Sequence, residues 1–414
     1  MSDAGRPDGS SDAAGAVVRP SGDPLTVALG PVAAVLFCSA FFQFAQGILN
    51  PLVTVQLVGH GTATGLIGVV NAAYFVGFIA GTIQCGRVID RVGHIRALPV
   101  FAVAAADAAL LLALTEPPWP WILSRAALGY ALAGIYVVIE SWLNDKATTA
   151  TRGRIFALYQ VVGWSISAVT PLALNLGDTE GPGFVIVAAL GFATALVPVA
   201  LTRVGNPEIG QRNHFGLRRL VAISPLGVAA CFASGLVNSA FFGLMPVYTA
   251  EHGLTTADLT LVLTGATLGG LAAQWPVGVL SDRLGRRPMM LAGIAVAVAA
   301  GLVPFLAHVG AVPVMIGLVF LFAAGAGPLY TLGVGQTNDY VMPRDFVAAS
   351  GGLLAAWAIG ASLGTAIAAQ VMAAFGADGL FGYEIVVLGA LAVFAIHRMI
   401  RRPGRSGPPA AGAP

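Results

Sequence analysis

Apolar runs of about twenty residues recur along the chain, separated by short polar segments. A bilayer core of about 30 Å takes roughly 20 helical residues to cross. On that measure the pattern predicts twelve membrane spans, at 29–50, 64–84, 97–115, 121–143, 154–175, 183–203, 225–250, 258–280, 288–308, 312–336, 347–373 and 379–399. The longest polar break, 204–224, falls in the middle, so the pattern divides the chain into a six-span half over 25–203, a linker over 204–224 and a second six-span half over 225–402. Residues 1–24 and 403–414 are rich in Gly, Pro, Ala and Ser and read as disordered tails. The first of these holds no apolar stretch of the kind a signal peptide needs.

Composition agrees with this pattern. Of 414 residues, 57% are hydrophobic and 10% are charged, against about a quarter charged in a soluble domain. So few charges cannot cover a water-facing surface, so most of the surface faces a lipid bilayer. The net charge of +2 gives no reason to expect nucleic acid. The placement of charge says more. With the N-terminus inside and twelve crossings, the loops and tails on the inner side hold 20 of the 21 Lys and Arg residues. The exception, Arg125, lies within the fourth span. Loops on the other side hold Glu116, Asp178, Glu180, Glu251, Asp258 and Asp378, and no Lys or Arg. Cationic loops stay in the cytoplasm, so both termini are expected there, in a bacterial inner membrane. Cys38, Cys85 and Cys231 lie in or beside apolar runs, and the six His residues are scattered. No metal site and no cofactor are expected.

The two halves repeat. The segment after the second span reads Gly86-x-x-x-Asp90-Arg91-x-Gly93, and the one after the eighth reads Gly278-x-x-x-Asp282-Arg283-x-Gly285, followed by Arg286 and Arg287. The offset is 192 residues, at which Gln46 also meets Asn238; Asn144-Asp145 meets Asn338-Asp339 at 194, and Trp164 meets Trp357 at 193. Four matches near one offset indicate a duplicated six-helix unit.

On these residues the chain resembles the major facilitator superfamily, in which that loop signature is the most specific motif. The likeness covers essentially the whole sequence. The run Glu140-Ser-Trp-Leu-Asn144 with Arg152-Gly-Arg154 is similar to a poorly characterised bacterial branch of permeases. The resemblance implies an all-α membrane protein of two pseudo-symmetric six-helix halves that rock about a central site, acting as a monomer on a small-molecule substrate. It also implies that Gly86, Asp90, Arg91, Gly93, Asp282, Arg283, Gly285 and Arg286 form a latch holding the halves together when the inner side is closed; the plain alternative is a solvated turn that fixes topology.

Charged residues inside spans are costly and mark function or pairing. Asp107 is the one acid deep in the third span, about ten residues or ~15 Å from its inner end, and Arg125 lies about a turn inside the fourth. The two are expected to pair, either as a structural bridge or as a proton-coupling site. Arg125-x-x-x-Gly129 resembles the fourth-helix motif of proton-coupled exporters, with Leu128 where that motif has Gln. Glu140 is a protonation site, a substrate contact or a partner of Arg152 or Arg154. Glu384 is expected at the outer interface.

Uncharged polar side chains cannot be satisfied by lipid. Gln43, Gln46 and Asn50 share one helix face, as do Asn71 with Tyr74, Ser234 with Asn238, and Gln160 with Trp164 and Ser167. With Trp357 they are candidates for the lining of a solute cavity, the alternative being interhelical glue. There is no Gly-x-x-x-x-Gly-Lys-Ser/Thr loop, so an ion or solute gradient is the expected energy source, with the proton as coupling ion. Polar, aromatic and nearly uncharged lining suits a neutral or weakly charged organic solute. Arg125-x-x-x-Gly129 points to export. The fifth span, Gly163-Trp-Ser-Ile-Ser-Ala-Val-Thr-Pro171, lacks the GPxxGG signature of drug/proton antiporters, which keeps uptake of a small nutrient, such as a heterocyclic vitamin or metabolite, as the alternative. A non-transporting receptor is the alternative of another class. No nucleophile–base pair or metal cluster points to an enzyme.

Overall fold

The computed structural model describes residues 24–116, 118–146, 152–201, 216–307, 309–342 and 345–401. The expected tails lie outside these residues except for Pro24, as do 204–215 of the expected linker. Twelve helices are long and apolar enough to cross a membrane: α1 Val32–Gly59, α2 Thr64–Val92, α3 His94–Leu114, α4 Trp119–Asp145, α5 Arg154–Leu176, α6 Gly183–Ala200, α7 Pro225–Glu251, α8 Thr256–Leu284, α9 Arg286–Leu306, α10 Val312–Asn338, α11 Ala349–Phe375 and α12 Gly379–Arg401. A short helix, Leu217–Ile223, precedes α7. Several helices outrun the predicted spans at the end that carries the basic loops, because the helical backbone continues through Gly86–Arg91 and Ser281–Leu284 after the apolar run has stopped.

The packing repeats with a step of six helices. Helix α1 packs on α6 and α5, α2 on α4, and α3 on α4 and α6; correspondingly α7 packs on α12 and α11, α8 on α10, and α9 on α10 and α12. Lipid provides no hydrophobic drive between helices, so small residues that admit close backbone approach decide these contacts. A Cβ on Gly364 of α11 would lie 2.7 Å from the Leu236 Cα of α7, and one on Gly129 of α4 would lie 2.9 Å from the Phe78 nitrogen of α2.

The halves meet through α2 with α11, α1 with α7, and α5 with α8. Hydrogen bonds across this seam are Thr54 Oγ1 to Gly243 O (3.0 Å), Asn71 Nδ2 to Gly243 O (3.2 Å), Asn175 Nδ2 to Thr260 Oγ1 (2.9 Å), Thr264 Oγ1 to Ala168 O (2.9 Å) and Gln370 Nε2 to Gly65 O (3.4 Å). Every residue in that set lies within eight positions of the helix end bearing the acidic loops, that is, within about 12 Å of it. Nearer mid-helix the seam is aromatic: Phe75 meets Trp357 edge-on at 5.8 Å, and Phe78, Ala133 and Ala358 share a small apolar cluster with Tyr136 and Trp357. All five of these bonds lie at the acidic end. The two halves therefore seal at the acidic end and enclose a cleft that opens between the basic loops.

Candidate functional site

The cleft is polar on one side. Arg125 of α4 is only 3% exposed. Both its terminal nitrogens donate to Asn50 Oδ1 of α1 at 3.3 Å, and its guanidinium carbon sits 4.9 Å from the Tyr74 ring centre on α2, within range of a cation–π contact. Tyr74 OH accepts from Gln46 Nε2 at 2.8 Å. Tyr136 OH points at both Gln46 Oε1 (2.9 Å) and Gln43 Oε1 (3.1 Å). A connected chain of polar groups thus runs Arg125–Tyr74–Gln46–Tyr136–Gln43, drawing on three helices. Gly129 makes it possible: a side chain there would collide with the carbonyl oxygen of Tyr74, pushing the tyrosine away from Arg125.

One turn beyond Tyr136 on the same helix, toward the open end, stands Glu140. Its side chain is exposed, and it acts electrostatically on Tyr136, on Tyr159 of α5 and on Tyr330 of α10, across the cleft. Among the described residues it makes no ion pair. The expected partnership with Arg154 is not formed, and the side chain of Arg152 lies outside the described residues. Tyr136, Tyr159 and Tyr330 were absent from the sequence-based lining set. A signal was present: Tyr136 lies one turn before Glu140, and Tyr330 repeats it at the same 194-residue offset that relates Asn144 to Asn338.

Other candidates fall elsewhere. Asn71 is buried and donates to Thr54 Oγ1 (2.9 Å) as well as to Gly243 O, so it ties the sealed end rather than lining the cleft. Asn238, the counterpart of Gln46, turns back on its own helix and donates to Ser234 O (2.9 Å) and Ser234 Oγ (3.0 Å); Ser234 is fully buried. Trp357 packs on Phe75 at the seam. Gln160 is exposed and Trp164 half-buried on α5, and neither joins the polar chain.

The expected Asp107–Arg125 pair does not form. The residue of α4 that faces α3 is Ser124, whose Oγ donates to Ala108 O at 2.5 Å. Arg125, the next position, is turned about 100° away toward α1 and α2. Helix α3 buries Leu98, Phe101, Ala102, Ala105, Ala108, Ala109 and Leu112. Asp107 is exposed on the opposite stripe, with Val103, Leu110, Leu111 and Leu114. Glu384 also departs from expectation. It is fully buried on the stripe of α12 that includes Phe381 and Leu388, and neither carboxyl oxygen has a hydrogen-bond partner among the described residues.

At the basic end the two signature loops share one backbone form. Gly93 (φ 82°) and Gly285 (φ 92°) each close one helix and open the next, in a region L-residues rarely enter. Gly86 is buried within α2. Asp90, Arg91, Asp282 and Arg283 are exposed, with no bond to the opposite half among the described residues. Arg286 instead links Asp282 (3.5 Å) to Asp339 at the end of α10 (2.9 Å), inside its own half. Among the described residues, then, none of these side chains joins the two halves.

The description "Major Facilitator Superfamily" belongs to the family model that matches residues 35–260 and 227–414. The chain is 27% identical over 392 residues to the uncharacterized MFS-type transporter YcaD of Escherichia coli O139:H28, covering 92% of this chain and 98% of that one. Among solved structures it superposes on a bacterial homologue of the human lysosomal transporter Spinster (TM-score 0.72, 15% identity, 88% of this chain and 94% of that one). It also superposes on the nucleoside transporter NupG (TM-score 0.70, 13% identity, 91% and 100%). With twelve apolar helices in two repeated halves and a family match across both, this chain belongs to the major facilitator superfamily and is a multi-pass membrane transporter.

Proposed function

We propose that the protein is a proton-coupled secondary transporter that carries a small, neutral or weakly charged organic solute across the bacterial inner membrane by alternating access, working as a monomer with both termini in the cytoplasm. The observation that carries this reading is the polar chain from Arg125 through Tyr74, Gln46 and Tyr136, with Glu140 one turn further on at the open side of the cleft. Amides and phenols there offer both donors and acceptors to a neutral polar solute. Glu140 gives a protonatable group beside it, so that proton and solute occupancy are read by the same helix. The basic loops orient the open side toward the cytoplasm. Asp90 and Asp282 supply the latch once that side closes.

Export is the proposed direction and rests on the Arg125-x-x-x-Gly129 likeness. Gly129 also has a packing role between α2 and α4, so uptake of a heterocyclic nutrient stands beside it as the second reading; the nucleoside transporter NupG shares the fold. The test is reconstitution in liposomes with an imposed pH gradient and a panel of labelled nucleosides, vitamins and hydrophobic amines, followed in both directions. Gradient-driven flux of one class is expected. Binding without flux would mean a receptor, and a chemically altered ligand an enzyme. Asp90→Asn is expected to slow flux several-fold while leaving solute binding intact; undiminished flux in that variant removes the latch.

A further inference from the structure

A small cavity lies away from the cleft, at the basic end of the second half. Ile223, Ser224, Pro225, Leu226, Arg287, Gln336, Tyr340 and Arg398 line it, brought together from the start of α7, the start of α9, the end of α10 and the end of α12. Its volume of about 40 Å³ is some three times what a single water needs. That is room for a small anionic group, not for a whole organic solute.

Its chemistry selects for negative charge. Arg287 lines the cavity and donates to Tyr340 OH at 3.0 Å. Arg398, from a different helix, carries no ion pair among the described residues. Asp282 and Asp339 are engaged by Arg286. Gln336 is only 5% exposed, lines this space and makes no hydrogen bond among the described residues. Its amide offers both donors and an acceptor to a group bound there. The 27-residue helix α7 begins here, with Ser224 as its N-cap and no side-chain cap bond. Its first-turn amides and its dipole favour an anion at this spot. The remaining wall, formed by Ile223, Pro225 and Leu226, is apolar.

We propose that this cavity binds a phosphate group, held between Arg287 and Arg398 with Gln336 and the start of α7 completing its hydrogen bonds, and that the phosphate is carried by an anionic phospholipid of the leaflet on the basic side. Two arginines and a helix start match phosphate oxygens. The apolar wall favours a lipid over a free ion, because it accommodates the glycerol and first acyl carbons. The depth also fits: all contributing helices end here, where headgroups lie, and basic pockets of this kind attract anionic headgroups.

The test uses the full-length protein, delipidated in neutral detergent. Melting temperature is followed while phosphatidylglycerol, phosphatidylcholine or inorganic phosphate is titrated, and retained lipid is counted by native mass spectrometry. Phosphatidylglycerol is expected to raise the melting temperature saturably and to be retained, whereas phosphatidylcholine, whose phosphate is offset by its own ammonium, does so only weakly. Arg398→Gln should raise the half-saturating concentration of phosphatidylglycerol about tenfold, and Arg398→Lys less, since a bidentate partner becomes a point charge. Gln336→Leu is a second variant that leaves both arginines in place and is expected to weaken retention. A response to inorganic phosphate as strong as that to phosphatidylglycerol, and equally lost in Arg398→Gln, supports the site but assigns the group to a soluble ion. Lipid stabilisation and retention unchanged in Arg398→Gln and Gln336→Leu, or equal for phosphatidylcholine, overturns the proposal.

Discussion

The two halves share a fold and a packing plan but not their chemistry. In the first, α1, α2 and α4 carry a buried cation, a carboxyl group and a chain of amides and phenols. In the second, the position 194 residues after Arg125 is Val319, fully buried, and the position 194 residues after Glu140 is Val334. Around Phe241 of α7 the second half is filled instead by Phe242, Phe322, Phe381 and Tyr248, with Phe241 stacked on Phe322 at 5.2 Å. Asn238 spends its amide on its own helix where Gln46 reaches two tyrosines. Duplication therefore preserved the scaffold while the polar machinery came to rest on one side. The hydrogen-bonding groups described for the cleft therefore come from the first half, with Tyr330 from the second.

That asymmetry can be broken at its charged positions. Glu140→Gln is expected to have the largest effect: uphill transport of whichever solute the liposome panel identifies should fall about 10- to 100-fold, the scale of a 1–3 kcal/mol coupling free energy, while solute exchange without a gradient persists. Loss of both together would mean that Glu140 serves binding alone. Arg125→Met makes the first half resemble the second at that depth. Transport is expected to drop about tenfold or more, yet the melting temperature should hold or rise, because replacing a buried charge by an apolar side chain of similar size is often neutral or stabilising. A marked fall in stability would show Arg125 to be a structural post.

Tyr136→Phe removes one hydroxyl from the middle of the chain. A stability cost of about 1 kcal/mol and a several-fold loss of transport are expected, against little change for Tyr330→Phe, its counterpart in the second half; equal losses would erase the contrast between the halves. Asp107→Asn should change flux less than about twofold, since the carboxyl faces away from the polar chain, and may be checked in the same assay. A large effect there would restore a coupling role to α3. Removing a lipid-facing charge is worth up to about 3 kcal/mol on insertion scales, so any change should appear as improved expression.

The fold was legible because crossing a bilayer imposes a length and a hydropathy that a single sequence displays directly, and because loop charge alternates with each crossing. Arg125 and Glu140 stood out for the same reason, being charges where charge is expensive. Their partners did not. Depth along a helix follows from counting residues, but the direction a side chain takes around the helix depends on which neighbour packs there. Ser124 faces α3 and Arg125 does not, a difference of one residue. Asn71 and Gln46 looked alike as amides on apolar helices, and only the seam between the halves separates a tie from a lining group. Glu384 shows the converse. Its place near a helix end implied exposure, whereas tight packing of α12 against α7 and α9 buried it completely.

Gly93 and Gly285 each finish one membrane helix and start the next with no residue to spare. A joint that short has almost no slack, so a tilt applied to α2 must be handed to α3, and one applied to α8 to α9. Each six-helix unit is thereby geared at the rim bearing the basic loops to turn as a single lever rather than as loose rods. Lengthening either elbow by a few flexible residues would uncouple the outer helices from the stroke of the inner ones.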